Sequence, residues 1–349
     1  MRGVAKIGIG LAGVLAAGLL GYTGYVGLEG ARQGVTPDGS DDCRTPDIQY
    51  GWDYEAINYD QADDARLRAA NPGMDSCADR GSAAGDEIVT DDGIRIAGWY
   101  IPAGDGSPAT APTVVLVHGH GANKSGILHY AIGLHESFNL VAFDERNSGR
   151  STGEKTTIGV LEQKDLRAVI DWLERTKHPV SIGVLGNSQG AIAAINEATG
   201  DPRVQALVLD SMHTRMRYQF ERRLELAGHP AYPGTWAIFL ATWLQTGVWF
   251  GSADAIDALP HLGTRPILLI HGEGDQQDLP ERTQAFYDQA IAAGMPAELR
   301  WCPTAGHDSG VGMPAEVCAD DFGTWTRDFF ARTLRAAPEA AVPVAVTAG

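Results

Sequence analysis

The chain is 349 residues long, 44% hydrophobic, and carries a formal net charge of −17. That length and apolar content suffice for a full buried core, in one large α/β domain with attachments rather than two equal domains. The acidic balance argues against nucleic acid as a partner, because its phosphates would be repelled, and it leaves the substrate open.

Arg2 and Lys6 precede an uncharged run from Ile7 to Leu28, long enough for a helix to cross a bilayer core of roughly 30 Å. Residues 1–28 are therefore expected to be a membrane segment, either an uncleaved anchor with its basic end in the cytoplasm or a cleaved signal peptide. The anchor is preferred, because no small-x-small cleavage site precedes Glu29 and the apolar run exceeds a usual signal core. Both readings put the remainder outside the cytoplasm, membrane-anchored in one case and secreted in the other. Disulfides persist there, and the spacing of the four cysteines predicts Cys43 with Cys77 and Cys302 with Cys318, one of three possible connectivities. No Cys-x-x-Cys or histidine cluster calls for a metal, and no cofactor is expected.

Residues 29–85 are rich in Asp, Gly and Pro without a strong period, and are expected to form an irregular, disulfide-tied extension. Regular structure is expected from Asp86, where "DEIVTDDGIRIAGWYIP" alternates around Asp92-Gly93 as a β-hairpin does. Short β-branched apolar runs follow at 113–117, 139–143, 181–185, 206–210 and 266–270, the pattern of strands buried on both faces. Between them lie helical patterns. In "VLEQKDLRAVIDWLERT", Val160, Leu161, Leu166, Val169, Ile170 and Leu173 share one side, opposite the charges. This alternation predicts an α/β fold with a mostly parallel sheet flanked by helices. Residues 211–262 interrupt the rhythm with helical patterns and many aromatics, among them Tyr218, Phe220, Trp236, Phe239, Trp243, Trp249 and Phe250, and are expected to be a helical cap over a pocket. Residues 336–349 are expected to be a disordered tail.

"GVLGNSQGAIAA" places Ser188 between a strand and an Ala-rich helix, flanked by Gly186 and Gly190. Side chains at those glycines would collide with neighbouring backbone in a tight elbow. A serine nucleophile needs a base, an acid to orient it, and N–H donors for an oxyanion, and strand ends in an open sheet bring such groups together. The base expected here is His307, in "CPTAGHDSG" after the probable strand 297–302. The acid is Asp275, in "LLIHGEGDQQDLP", with Asp278 and Asp210 as rivals. The oxyanion donors expected are the backbone N–H of Gln189 and that of His120, in "VVLVHGHGANKSG". The side chains of His118 and His120 are expected to shape the loop rather than do chemistry.

From Asp86 to Leu334 the chain resembles the α/β-hydrolase superfamily. "HGHG", "FDERNSGRS", "GNSQG", "HGEGDQQDLP" and "GHD" stand in that family's order and at its spacing. The "DDGIRIAGWYIP" opening and the hydrophobic N-terminus are similar to membrane-attached serine hydrolases and prolyl-oligopeptidase-like esterases of the superfamily. Within the resemblance, Asp144, Arg146 and Ser151 would tie a structural loop. Ser188 at the nucleophile position departs from the Asp of epoxide hydrolases and haloalkane dehalogenases. The implied activity is hydrolysis of an acyl bond in a small molecule, first a carboxylic ester, through Ser188, His307 and Asp275. A serine peptidase, a thioesterase or an acyltransferase of the same fold are alternatives, and a non-catalytic membrane-anchored binding protein is the rival of another class.

Overall fold

A computed structural model describes residues 2–36, 44–58, 87–307 and 312–335, with positions 65 and 69; side chains are described from residue 17 onward. The first long helix, α1 (Arg2–Val35), precedes an edge strand β1 (Glu55–Ile57) and β2 (Gly98–Ile101). There follow β3 (Thr113–Val117), β4 (Asn139–Phe143), α2 (Glu162–Thr176), β5 (Ile182–Asn187), α3 (Gln189–Gly200) and β6 (Val204–Asp210). Two helices, α4 (Met216–Leu226) and α5 (Ala231–Thr246), intervene before β7 (Ile267–Gly272), α6 (Pro280–Ala292), β8 (Ala297–Cys302) and α7 (Ala319–Thr333).

The strands form one eight-stranded sheet in the order β1-β2-β4-β3-β5-β6-β7-β8. β1 and β2 run antiparallel at one edge, and every pairing from β4 to β8 is parallel. Parallel strands joined by helices must be covered on both faces, and alternation along each strand divides the core accordingly. Val115 and Val117 of β3 pack on the side of α2 and α3, whereas Val114 and Leu116 face Phe322, Phe329 and Phe330 of α7. The carboxyl ends of β3, β5, β6, β7 and β8 consequently line one edge of the sheet.

A third, separate cluster joins Val26 and Val35 of α1 to Phe220 and Leu224 of α4 and to Ile238 and Phe239 of α5. The contact is close because α1 is built from small residues where it crosses α5. A Cβ on Gly27 would lie 2.9 Å from the Cβ and carbonyl oxygen of Ala237, and one on Gly30 would meet the end of the Ile238 side chain. The insertion between β6 and β7 thus has its own small core, which α1 completes.

This arrangement changes the reading of the N-terminus. Among the described residues, no helix is long and apolar enough to cross a membrane, and a membrane anchor over residues 1–28 is not supported; the side chains before residue 17 lie outside the described residues. Within the run Val26 is buried against protein, as are Ala31 and Val35 beyond it, while Leu19, Leu20, Tyr25 and Leu28 are exposed. The extension is also less irregular than its composition implies, because α1 continues through Val35 and β1 joins the sheet. Cys43, Cys77 and the tail 336–349 lie outside the described residues.

The hairpin expected from Asp86 contracts to a single bridge between Val89 and Arg95. The amide of Asn58 reaches in from the extension and donates to the carbonyls of Ile88 and Ile96, at 2.7 and 2.8 Å. The second arm moves on to pair, as β2, with β4. The Cys302–Cys318 disulfide is formed, with its Cα atoms 6.0 Å apart.

Candidate active site

Ser188 sits between β5 and α3 at φ 49°, ψ −111°, in a region that side-chain-bearing residues rarely adopt. Two features hold it there. Its N–H donates to the carbonyl of Asp210 at the end of β6, at 2.9 Å. The flanking glycines admit backbone that any Cβ would strike: at Gly190 a side chain would meet the carbonyl oxygens of Val117 and His118, and at Gly186 the carbonyl of Gly190 itself. The hydroxyl is thereby turned toward the loops beyond the sheet.

His307 follows β8 and brings Nε2 to 3.0 Å from Ser188 Oγ. Its Nδ1 donates to Asp275 Oδ2 at 2.8 Å. Asp275 is fully buried, and its other oxygen accepts the backbone N–H groups of Gln277 and Asp278, each at 2.8 Å. Burial opposes ionisation of Asp275, but the His307 hydrogen bond, neighbouring imidazoles and these N–H donors outweigh it and hold the pKa below the ordinary value. Burial likewise pulls His307 down, while the bond and charge of Asp275, with Asp278 and Asp210 nearby, bring it above the ordinary histidine value.

The rival acids occupy other positions. Asp210 accepts from the Asn187 amide at 2.9 Å, and burial pushes its pKa up to about 7. Asp278 is buried with Oδ2 lacking a hydrogen bond, 4.0 Å from Nδ1 of an equally buried His213. Burial raises Asp278 to about 8 and lowers His213 to about 3, so both are neutral near pH 7. Of the three acids, Asp275 is the one hydrogen-bonded to His307.

The loop after β3 passes close to the elbow, and a Cβ on Gly119 would lie 2.6 Å from Asn187 Oδ1. This brings His120 beside Gln189. His120 Nδ1 is 3.0 Å from Gln189 Oε1, and Nε2 donates to the carbonyl of Gln33 in α1 at 3.1 Å. On the other side the Gln189 amide lies 2.6 Å from Glu145 Oε2. Burial pushes the Glu145 carboxyl well above its usual range and keeps His120 below its own. With Glu145 protonated, a Gln189 amide turned end for end accepts from Glu145 and donates to His120 Nδ1, which links the three without a buried charge and leaves Glu145 Oε1 without a hydrogen-bond partner. His118 is fully buried, with Nε2 accepting the Glu145 N–H at 3.0 Å. Both imidazoles therefore shape the loop. The backbone N–H of Gln189, first residue of α3, is one of the unpaired donors at a helix start.

A cavity of about 310 Å³ opens over Ser188 and His307. It is walled by Ile158 and Met313 and roofed by Gln219 and Arg223 of α4. Ile158 is held at φ 50°, a second strained residue against the same space. Sequence reasoning did not single out Ile158, Gln219, Arg223 or Gln33. The four-residue spacing of Gln219 and Arg223, which puts them on one helix face, was the available signal. Among the described residues no group of His, Cys, Asp or Glu is arranged to hold a metal ion.

Comparison with known proteins agrees with this architecture. The family model described as "Alpha/beta hydrolase family" matches residues 114–345. YqkD of Bacillus subtilis is 32% identical over 205 residues, 56% of this chain and 65% of that protein. Rv2307c of Mycobacterium tuberculosis is 33% identical over 138 residues, 38% of this chain and 47% of that protein. The match thus spans about half to two-thirds of these relatives' lengths. Among solved structures, an esterase of Pyrococcus furiosus, Pf2001, superposes with TM-score 0.57 at 25% identity, over 71% of this chain and 90% of its own. The acylaminoacyl peptidase of Pyrococcus horikoshii shares the fold, with TM-score 0.54 at 15% identity over 73% of this chain and 42% of its own. The chain belongs to the alpha/beta hydrolase family.

Proposed function

We infer that the protein is a serine hydrolase that cleaves a carboxylic ester of a small molecule. The observation that carries this reading is the continuous hydrogen-bonded line from Ser188 Oγ through His307 to Asp275, on a serine held in a strained elbow. In the mechanism, His307 Nε2 takes the hydroxyl proton as Ser188 Oγ bonds to the acyl carbon. Asp275 holds the imidazole in the tautomer that leaves Nε2 free to accept, and stabilises the imidazolium that forms. The oxyanion is stabilised by the N–H groups of Gln189 and His120. His307 then returns the proton to the departing alkoxide as the acyl–oxygen bond breaks, and water, deprotonated by the same nitrogen, releases the carboxylic acid.

The esterase among the structural relatives supports an ester over an amide. The Cys302–Cys318 disulfide supports an extracytoplasmic location, where such bonds persist. The test is hydrolysis of p-nitrophenyl esters of increasing acyl length by the wild type and by Ser188→Ala. The expected result is turnover, falling by roughly 10⁴-fold or more in the variant. Turnover of amides but not esters would favour a peptidase.

A further inference from the structure

The roof of the cavity carries chemistry that acyl transfer itself does not use. Arg223, a partly solvent-exposed residue, lines the same space as Ser188 and His307, and among the described residues its guanidinium makes neither a hydrogen bond nor an ion pair. Its arginine neighbours at the start of and along α4 are paired, whereas Arg282, stacked on Tyr218 with its guanidinium 4.5 Å from the ring centroid, also lacks an ion pair among the described residues. Arg215 pairs with Asp254 and Asp257 at 3.3 and 3.7 Å, Arg217 with Glu221 at 3.5 Å, and Arg222 with Glu225 at 3.3 Å. Of the three arginines on α4, Arg223 is the one left without a carboxylate among the described residues. Across the site it faces the imidazoles of His120 and His213, which burial holds below their ordinary pKa, and on its other side it borders a second cavity that Glu29 also lines.

One helical turn earlier, Gln219 is 4% exposed and lines the same cavity, and its Oε1 is buried without a hydrogen-bond partner. An unsatisfied buried amide is costly, and a ligand that bonds to it relieves the cost. Positions four apart on a helix present one face, so the amide and the guanidinium converge on one small volume. Between them and Ser188 the wall is apolar, with Ile158 and Met313. A volume of about 310 Å³ is at the small end for ligand sites.

We propose that Gln219 and Arg223 form a carboxylate-binding subsite, and that the ester cleaved at Ser188 is a short-chain ester bearing a free carboxylate. The guanidinium donates in its planar fork to the carboxylate oxygens, and the Gln219 amide, turned to present its nitrogen, donates a further bond. The hydrocarbon spacer lies against Ile158 and Met313. This deepens the ester-hydrolase reading and rests on it for the fate of the ligand, although not for its binding.

The experiment separates the two. Calorimetry on the full-chain Ser188→Ala protein compares monomethyl glutarate with methyl pentanoate, a neutral counterpart of similar length. The carboxylate is expected to bind about tenfold tighter or more, the preference to vanish in Ser188→Ala/Arg223→Gln, and to survive in part in Ser188→Ala/Arg223→Lys. Arg223→Gln removes no side-chain hydrogen bond or ion pair among the described residues, and the lysine variant together with the melting temperature of each protein controls for an indirect effect. On the wild type, kcat/KM for monomethyl glutarate and for 4-acetoxybenzoate, each against its neutral analogue, tells whether the carboxylate belongs to the acyl or the alcohol side. Equal affinity for the charged and neutral ligands, or a preference unchanged in Arg223→Gln, overturns the subsite. Carboxylate binding without hydrolysis of any ester leaves the subsite standing and overturns the ester-hydrolase reading instead.

Discussion

His120 Nε2 donates to the backbone carbonyl of Gln33 at 3.1 Å, across 87 positions of sequence. The bond ties α1 to the loop that supplies one of the two proposed oxyanion donors. The glycine face of α1 then seats it against α5, so the N-terminal helix backs the helices that roof the site. His120→Ala removes the bond, a loss of roughly 0.5–1.5 kcal/mol. Its expected signature is faster amide hydrogen exchange over residues 26–35, with KM for the ester rising more than kcat falls. Unchanged exchange in that segment would mean that packing alone holds the helix.

Gly27→Val tests the packing itself. The added side chain meets the backbone of Ala237 rather than the end of a flexible chain, so the helices must part. Overpacking of this kind typically costs about 1–3 kcal/mol. A lower melting temperature is expected, with the loss confined to α1, α4 and α5 in an exchange experiment and the sheet left protected.

The strands at 113–117 and 139–143 coincide with their sequence patterns, because strands buried on both faces are written as unbroken apolar runs, while 297–302 also coincides as a half-buried edge strand that alternates with Glu298 and Arg300. The candidate site of Ser188, Asp275 and His307 was legible for a different reason: each stands just past a strand and close to glycines. The packing of α1 was not, since apolar residues interleaved with glycine spell the same pattern whether the helix meets lipid or another helix, and the contacts of Gly27 and Gly30 with Ala237 and Ile238 are a property of the folded chain. β1 has three residues, too few to show a period. Gln219 and Arg223 lie on a helix dense in charge, where bordering the cavity over Ser188 is a property of the folded chain.

The rate should follow the protonation of His307. Asp275 and the nearby acids hold its pKa above the ordinary value despite burial, and Ser188 needs the neutral imidazole. The pH profile of kcat/KM is therefore expected to rise on a single ionisation with a midpoint above about 6.5. Asp275→Asn removes the charge and should move that midpoint down, while reducing kcat by as much as roughly 10⁴-fold through the wrong tautomer.

Asp278 has the opposite consequence for stability. Its folded pKa of about 8 lies above the unfolded value near 3.9, so between these limits the folded state holds a proton that the unfolded state has lost. Stability contributed by this group is full below pH 4 and declines as pH rises to 8. Asp278→Asn, which keeps the shape without the ionisation, is expected to raise the melting temperature relative to wild type by an amount that grows from pH 5 to pH 8. A pH-independent difference would contradict the assignment.

The Cys302–Cys318 bond closes a segment, with a sequence separation of 16, that contains His307. A loop near that length is worth about 3 kcal/mol by chain entropy. The double variant Cys302→Ser/Cys318→Ser should melt lower and turn over ester more slowly, because the segment that aims the imidazole at Ser188 is released. Equal stability and equal kcat would remove the bond from the account.

The central claim is that Ser188 is an activated nucleophile. The most direct measurement is intact-protein mass after brief exposure of folded protein to a fluorophosphonate, with peptide mapping of the adduct. The account predicts one phosphonyl group on Ser188 of the wild type and none on Ser188→Ala, with labelling slowed in His307→Ala. A folded wild type that gains no adduct at Ser188, or a Ser188→Ala protein labelled at the same rate, would contradict it.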